Sequence, residues 1–348
     1  MKNKFKKLKI GEILNRKKPM DLQNLIAGLF LNNQGLFMNK YPKRVGQYCL
    51  YKEIEKVGSK KDFSICIYKD KYGKKVFAKT WNGKQKDFRY NTLMNEIRAC
   101  HTLNKVKNRM NANEAFNRLH VNIPRLLDVY ESKNQLIVFF SFEKGELATL
   151  TNTNTKIDAY LRSVEFLVKL GQAMTTKEKT VFSNRNLASY IFLYPLFLIK
   201  SITNFPEHSW ILLRGVPIVA KAFYFLSLEQ ETVLAHRDLH FNNMLVDGKT
   251  IVIIDFQYMV FTELVSDFAA TYRHKWNNDN SDKLLYKTIM KRINYRKNFE
   301  AVFVGLLLCS ATHGLIDKSF SNATTQRWLD LIKLTIKNKN QINYRFAI

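Results

Sequence analysis

The stretch HRDLHFNNMLVDGKTIVIIDFQ, from His236 to Gln257, constrains the fold of this 348-residue chain more than any other segment. Its two short apolar runs, Met244–Val246 and Ile251–Ile254, flank Asp247-Gly248, which is a strong signal for a two-residue hairpin turn. A hairpin reverses the chain. We therefore expect the polar residues that precede its first strand to lie near Asp255, which ends its second strand.

Three polar residues of this stretch suit phosphoryl transfer. ATP is used with Mg²⁺, a hard cation that prefers oxygen ligands, and we predict that Asn243 and Asp255 hold it. Asp238 supplies a second carboxylate, which can orient an acceptor hydroxyl and take its proton. The pattern therefore predicts catalysis by Asp238 beside a magnesium site.

The segment also resembles known enzymes. His236-Arg237-Asp238 with Asn243 resembles the catalytic loop of protein kinases. With Leu239-His240 included, the same segment resembles the HxDLHxxN loop of aminoglycoside and choline phosphotransferases. The resemblance implies supporting roles beside Asp238 for His236, Arg237 and His240.

Two further steps follow in the same order as in those families. Asp255-Phe256 resembles the magnesium-binding DF(G) step. Asp267-Phe268-Ala269 resembles the DxA step of the small-molecule kinases, which implies that Asp267 supports the catalytic loop.

The resemblance extends upstream and covers about residues 50–270. Lys79, in VFAKTW, resembles the strand lysine that holds the α- and β-phosphates of ATP, and Glu96 would be its ion-pair partner. Gly58 and Ser59 lie in a segment that resembles the phosphate-covering loop, and Glu143 lies where the adenine-binding hinge would be. The resemblance thus implies ATP and Mg²⁺ as cofactors.

The order of predicted elements is rich in strands before about residue 143 and rich in helices after it, which favours an α+β class. We predict a hairpin with its turn at 69–74, a helix at 91–106, strands at 123–130 and 136–142, and a helix at 157–174. The resemblance implies a bilobal protein-kinase-like fold, with an antiparallel-sheet N-lobe and a mainly helical C-lobe. The predicted division is 1–44 as a basic arm and amphipathic helix (the helix at 20–31), 45–142 as the nucleotide-binding N-lobe, and 143–348 as the helical C-lobe with the catalytic loop and acceptor site.

Several departures from the protein-kinase pattern favour the small-molecule branch. The loop at Gly58 has one glycine, Gln257 replaces the glycine of DFG, and Asp267 follows too soon for a long activation segment. About 90 residues separate Gly145 from His236, and the apolar, helical pattern at 186–225 suits an insert that walls off a small acceptor. Arg237 points the other way, since glycine is commoner there in that branch; lipopolysaccharide-core kinases and related atypical kinases fall between.

The net charge of +27 is uneven, because the first 110 residues hold 27 basic and 8 acidic residues. Such a field favours polyanions. Two interpretations stay open: the basic N-terminal third contacts an anionic membrane surface or a glycan phosphate, or it is simply a solvated lysine-rich surface. We do not expect specific nucleic-acid binding.

The four cysteines are scattered, which argues against disulfides and a zinc site and favours a reducing cytoplasm. No apolar run reaches the length needed to span a bilayer, and Val302–Leu308 is predicted to be a buried core helix.

Three function classes follow. The first is a phosphotransferase that moves the γ-phosphate of ATP to a hydroxyl of a small molecule, a sugar or a lipid-linked glycan. The second is an atypical protein kinase, and the third is a nucleotide-binding pseudokinase. The location expected for all three is cytoplasmic, with peripheral contact at the inner membrane face left open.

Overall fold

The computed structural model describes residues 5–16, 41–54, 63–83, 88–185, 187–228, 232–275, 284–289, 298–316 and 322–337. The chain forms two compact units. The first comprises residues 1–146, 173–183 and 245–259, and the second comprises 147–172, 184–244 and 260–348. The α+β class predicted from the sequence is confirmed.

The first unit is built on a seven-stranded sheet. Its strands are β1 (Lys6–Lys7), β2 (Arg44–Val45), β3 (Tyr48–Glu53), β4 (Ser64–Lys69), β5 (Lys75–Asn82), β7 (Leu126–Ser132) and β8 (Gln135–Ser141). Their order is β1-β7-β8-β5-β4-β3-β2, and every pairing is antiparallel.

Alternation along the strands gives this sheet two faces, because successive side chains of a strand point to opposite sides. One face carries a buried aromatic cluster in which the rings of Tyr48 and Phe139 stack with centroids 4.0 Å apart. Val76 and Ala78 of β5 belong to this cluster. Lys79, the next residue along the chain, therefore points to the opposite face.

The predicted turn at 69–74 joins β4 to β5 as expected. Asp70 holds it with a side-chain oxygen that accepts the backbone N–H groups of Tyr72 and Lys74 at 2.9 and 2.8 Å. Gly73 takes a φ of +76°, a conformation that glycine adopts without strain. The local sequence thus fixes the register of this hairpin.

The helices of the first unit are α1 (Ile10–Asn15), α2 (Phe88–Met110), α3 (Glu114–Asn117) and α5 (Thr176–Lys179). Helix α2 contains the predicted helix at 91–106. Leu93, Ile97, Cys100 and Leu103, the residues predicted to share its buried face, are all fully buried. That face places α2 against the rest of the unit and orients Glu96.

The hairpin predicted around Asp247-Gly248 is also present. It consists of β12 (Met244–Asp247) and β13 (Thr250–Ile253), in a small sheet of order β6-β13-β12-β9 that includes β6 (Val121–Asn122) and β9 (Glu146–Leu147). Gly145, in the predicted hinge, has a φ of +129°, and a Cβ there would lie 2.9 Å from the carbonyl oxygen of Val246. Glycine at this position therefore permits close approach of two backbone segments.

The second unit is mainly helical. Its helices are α4 (Thr153–Ala173), α6 (Leu187–Asn204), α7 (Ser209–Arg214), α8 (Val216–Leu228), α9 (Leu264–Lys275), α10 (Phe299–Gly314) and α11 (Asn322–Lys337). A three-stranded sheet of order β10-β14-β11 joins β10 (Ser183–Asn184), β14 (Val260–Thr262) and β11 (Val233–Ala235). The segment Val302–Leu308 is buried within α10, which confirms the predicted core helix.

The N-terminal segment differs from the predicted arm. Lys6–Lys7 pairs with β7 as an edge strand, and Ile13 of α1 is fully buried. Arg16 donates to Glu131 at 2.8 Å. Residues 5–16 are therefore part of the first unit, because the buried side chains of Leu8 and Ile13 and the backbone pairing of Lys6–Lys7 anchor them there. The amphipathic helix predicted at 20–31 lies outside the described residues.

The predicted division at 143 treats the N-lobe as one continuous segment. In the observed division, 173–183 and 245–259 also belong to the first unit.

A second difference concerns α6. The prediction of no membrane-length apolar segment is wrong for this helix, which continues through Pro195 over 18 residues and is long and apolar enough to cross a bilayer. The bent pair of helices at 206–214 and 216–228 passes the same test together, among the residues that the structure describes.

Candidate active site

A buried ion-pair cluster in the first unit is centred on Lys79. Its ammonium nitrogen lies 2.8 Å from Oε2 of Glu96 and 2.7 Å from Oδ1 of Asp255. Strand β5 supplies Lys79, helix α2 supplies Glu96, and the chain just after β13 supplies Asp255. The pairing predicted between Lys79 and Glu96 is thus found, and Asp255 joins it.

Burial and charge act against each other in this cluster. Lys79 and Glu96 are each about 5% exposed or less. Burial alone would lower the pKa of Lys79, but the carboxylates of Asp255 and Glu96 more than offset this and raise it. Burial raises the pKa of Glu96 above its ordinary range, an effect that the neighbouring ammonium opposes. Lys79 is therefore held as a cation with its charge directed at two carboxylates.

Asp255 has a left-handed backbone, with φ 68° and ψ 62°. Non-glycine residues seldom adopt this conformation, although Asp and Asn tolerate it best. The conformation ends β13 and turns the chain into a short 3-10 helix at Phe256–Tyr258. The Asp255 side chain is 29% exposed, so its carboxylate contacts Lys79 and also reaches solvent.

In the second unit, helix α9 holds the loop that follows β11. The carboxylate of Asp267 accepts the backbone N–H groups of His236 and Arg237 at 2.8 and 2.7 Å. One turn later on the same helix, the hydroxyl of Thr271 donates to the carbonyl of Leu239 at 2.6 Å. Burial raises the pKa of Asp267, while Arg237 and the two amides oppose that shift. The backbone around Asp238 is thus fixed from one helix face.

Asp238 and Asn243 are tied together within this loop. The side-chain amide nitrogen of Asn243 donates to the carbonyl oxygen of Asp238 at 2.8 Å and lies 3.3 Å from its carboxylate. His240 Nε2 lies 3.6 Å from the same carboxylate. The Asp238 side chain is 28% exposed, so it is held in place while open to a substrate.

Arg237 explains one departure from the expected pattern. Its φ is +68°, a conformation that favours glycine. Its guanidinium donates to Tyr190 at 3.1 Å and to Ser266. The commoner glycine would suit this backbone, and Arg237 instead offsets the strain with bonds to α6 and α9.

The remaining predicted residues are placed as follows. Glu143 is half-buried and accepts a hydrogen bond from Ser141 at the end of β8. Gly58 and Ser59 lie outside the described residues. Lys79, Glu96 and Asp255 meet in the first unit, whereas His236, Arg237, Asp238, His240, Asn243 and Asp267 meet in the second. The roles of all these residues toward a nucleotide stay predictions.

Asn243 in the second unit and Asp255 in the first each offer an oxygen donor of the kind that a magnesium ion prefers. The side-chain hydrogen bonds of Asn243 among the described residues all use the amide nitrogen, which orients the amide and leaves its oxygen for a cation. Asp255 offers a part-exposed carboxylate. Within the described part of the chain, no group of three or more His, Cys, Asp and Glu side chains is suited to hold a metal by itself. A Mg²⁺ that arrives with a nucleotide needs few protein ligands.

Sequence reasoning missed two groups that contact this loop. Thr271 was detectable in principle, because it lies four residues after Asp267 and therefore on the same helix face. No sequence pattern pointed to Tyr190. Its hydroxyl lies 2.7 Å from that of Ser266 and 3.0 Å from that of Thr262. It lies 47 positions from Arg237, and only the tertiary fold joins them.

Comparison with known structures finds the fold of this chain in several solved phosphotransferases. A thermostable mutant of aminoglycoside phosphotransferase APH(4)-Ia, in a ternary complex with ADP and hygromycin B, matches with a TM-score of 0.56 at 12% identity, covering 84% of this chain and 95% of that one. Amicoumacin kinase hAmiN, in complex with AMP-PNP and Ca²⁺, matches with 0.53 at 11% identity, covering 86% and 91%. Spectinomycin phosphotransferase APH(9)-Ia, in complex with ADP and spectinomycin, matches with 0.52 at 10% identity, covering 84% and 94%. At these identities the likeness shows the fold alone, and it confirms the kinase-like fold predicted from the sequence.

No curated protein matches the sequence of this chain. The family model described as "Phosphotransferase enzyme family", in contrast, matches residues 98–289, which is more than half of the 348 residues. The matched range contains the Asp238 loop, Asn243, Asp255 and Asp267. The chain belongs to the phosphotransferase enzyme family.

Proposed function

We propose that this protein transfers the γ-phosphate of ATP to a hydroxyl group of a small molecule, a sugar or a lipid-linked glycan. The observation that carries the proposal is the contact of Lys79 with both Glu96 and Asp255. A buried lysine fixed between two carboxylates is costly to maintain for stability alone, since a well-packed apolar set is often as stable. Its presence is explained if Lys79 holds phosphate oxygens.

Each residue then has a defined task. Lys79 binds the α- and β-phosphates, and Glu96 keeps its ammonium in position. Asp238 orients the acceptor hydroxyl and takes its proton as the acceptor oxygen bonds to the γ-phosphorus. The bond between that phosphorus and the β–γ bridging oxygen breaks, and ADP leaves with the electron pair.

A magnesium ion would be held by Asp255 and Asn243. When bound, it would neutralise charge on the phosphate oxygens. The protein's own contribution is to present these two oxygen donors on backbones that are already fixed. The left-handed turn fixes Asp255, and the hydrogen bond to Asp238 fixes Asn243.

The chain after Asp255 favours a small acceptor over a protein. The 3-10 helix at Phe256–Tyr258, strand β14 and helix α9 follow each other within residues 256–275, all of which are described. This segment has no room for a long activation segment, which in protein kinases positions a peptide substrate. The proposed acceptor is therefore a free or lipid-linked small molecule.

The test is transfer of labelled γ-phosphate from Mg-ATP to an extract divided into small-molecule, lipid-glycan and protein fractions. The proposal predicts label in a non-protein fraction. Label confined to protein would contradict the proposed acceptor class. Absence of label in every fraction, together with absence of nucleotide binding, would contradict the proposed chemistry.

A further inference from the structure

Three helices of the second unit present an exposed apolar face. Seven large side chains on these helices are exposed, and we name this set the helical apolar face: Ile191, Phe192 and Ile199 of α6, Trp210 and Leu213 of α7, and Tyr224 and Leu228 of α8. Trp210 is 69% exposed and Ile199 63%. The three helices contact one another. Exposed apolar patches of this kind mark interaction sites, because isolated proteins rarely expose large side chains together.

The opposite side of α6 is fixed within the unit. The hydroxyl of Ser201 donates to the carbonyl of Thr312 at 2.9 Å, and the Asn204 amide donates to the carbonyls of Leu315 and Ile316. Tyr190 adds its bonds to Thr262 and Ser266 near the other end of the helix. A bilayer-crossing orientation of α6 would break these bonds. The helix is therefore long enough to span a membrane, but its hydrogen bonds hold one side of it against the rest of the unit.

The charged residues of these three helices and their links are mostly basic. Residues 187–228 contain Lys200, Arg214 and Lys221, and their one acidic residue is Glu207. Arg214 lies 5.1 Å from the ring centroid of Trp210, so a cation and an amphipathic aromatic share one position. Helices that lie in the headgroup region of membranes typically combine an apolar face with Trp, Tyr and basic residues.

We propose that the helical apolar face docks onto an anionic lipid bilayer, with its apolar side chains in the interface and its basic residues against the headgroups. A protein partner would need acidic residues to match these basic side chains, whereas an anionic bilayer supplies negative charge uniformly. The N-terminal segment is a weaker candidate than it is in the sequence alone, because Lys7 pairs with Asp128 and Arg16 with Glu131.

The test measures flotation of the full chain with vesicles of phosphatidylcholine, with and without phosphatidylglycerol. We expect binding to the anionic vesicles and much less to the neutral ones. The double variant Ile199→Ser with Trp210→Ser should lose about tenfold or more in vesicle affinity, since each residue loses an apolar side chain that enters the interface. The variant Arg214→Gln with Lys221→Gln should lose selectivity for phosphatidylglycerol.

Matched controls come from exposed residues elsewhere. Leu150→Ser with Tyr72→Ser removes two apolar side chains of similar exposure, 70% and 81%, and should leave binding unchanged. Lys71→Gln with Lys74→Gln removes two exposed charges from the β4–β5 turn and should also leave it unchanged. Trp210 provides an independent signal. Its fluorescence should shift to the blue with anionic vesicles, and the Trp210→Phe variant should lose that shift.

Circular dichroism of each variant establishes that it is folded before binding is compared. Equal vesicle binding by the wild type and the Ile199→Ser, Trp210→Ser variant would overturn the proposal. So would a wild-type dimer that this variant dissociates without affecting vesicle binding, because the face would then be covered by a second copy of the chain. Vesicle binding does not require phosphoryl transfer, so failure here leaves the proposed function intact.

Discussion

The carboxylate of Asp267 accepts the backbone N–H of His236 at 2.8 Å, across 31 positions of sequence. With the matching bond from Arg237, it fixes the two peptide groups that precede Asp238. One buried side chain on α9 therefore sets the position of the proposed catalytic carboxylate without contacting the substrate. This makes Asp267 a positioning residue.

Replacing Asp267 with Asn should reduce turnover by about 10- to 100-fold, because one side-chain oxygen becomes an amide nitrogen facing a backbone N–H. Loss of a hydrogen bond to a buried donor also costs about 1–3 kcal/mol of stability. Steady-state kinetics should show the loss mainly in kcat, since nucleotide contacts are unchanged. Asp330→Asn, on the exposed face of α11, is the matched control and should alter neither quantity. A change in KM alone would contradict the positioning role.

Replacing Lys79 with Met should abolish transfer and also lower the free energy of unfolding by about 3 kcal/mol, because Glu96 and Asp255 lose their shared cation. The double variant with Glu96→Leu should recover part of the stability and none of the activity. Thermal melts and nucleotide binding separate the two effects. Lys75→Met, an exposed lysine on the same strand, should behave like the wild type. Recovery of transfer in the double variant would show that Lys79 is structural.

Replacing Asp255 with Asn should remove Mg-ATP turnover while the chain stays folded. Asn adopts the left-handed backbone of this position as readily as Asp, so the loss comes from the charge. Isothermal titration with Mg-ATP, followed by a melting curve, tests both parts. Asp247→Asn, in the exposed hairpin turn, controls for the substitution itself. Wild-type turnover by Asp255→Asn would refute the metal-ligand assignment.

A pH-dependent contribution to stability is predicted for Glu178. The guanidinium of Arg109 lowers its pKa below the ordinary value of 4.5, and bonds from Thr175 add to the shift. A depressed folded-state pKa means that the stabilisation is present above pH 4.5 and is lost as the pH falls through the folded-state pKa.

Glu178→Gln should therefore melt below the wild type at neutral pH, and the difference should shrink as the pH falls below about 4.5. Gln keeps the capping contact to Thr175, so the comparison isolates the charge. Glu114→Gln, at a fully solvated ion pair with Arg118, should give little difference at any pH. A melting difference for Glu178→Gln that stays constant down to low pH would contradict the assignment.

Most of the fold that could be predicted follows from local sequence patterns. Asp70 and Gly73 determine the β4–β5 turn by contacts within five residues, and Asp247-Gly248 does the same for the β12–β13 hairpin. The buried face of α2 follows from the spacing of its apolar residues. These elements were predictable because the interactions that define them lie close together in sequence.

Other features depend on contacts that no local pattern encodes. Lys6–Lys7 forms a strand only because β7 offers a free edge, and its own residues have low strand propensity. Arg237 has a left-handed backbone, and its guanidinium contacts Tyr190 and Ser266, which lie far from it in sequence. Lys79 and Glu96 were paired in advance through the family resemblance, and the third member of that cluster, Asp255, was assigned to the metal alone.

The measurement that tests the central claim most directly is single-turnover transfer of the γ-phosphate from Mg-ATP by the wild type and by Asp238→Asn, with nucleotide affinity measured in parallel. Asn cannot take the acceptor proton, but it preserves the shape of the loop. The account predicts unchanged nucleotide affinity and a rate reduced by about 10²-fold or more in the variant. Equal transfer rates in the two proteins would contradict the assignment of Asp238 and, with it, the proposed mechanism.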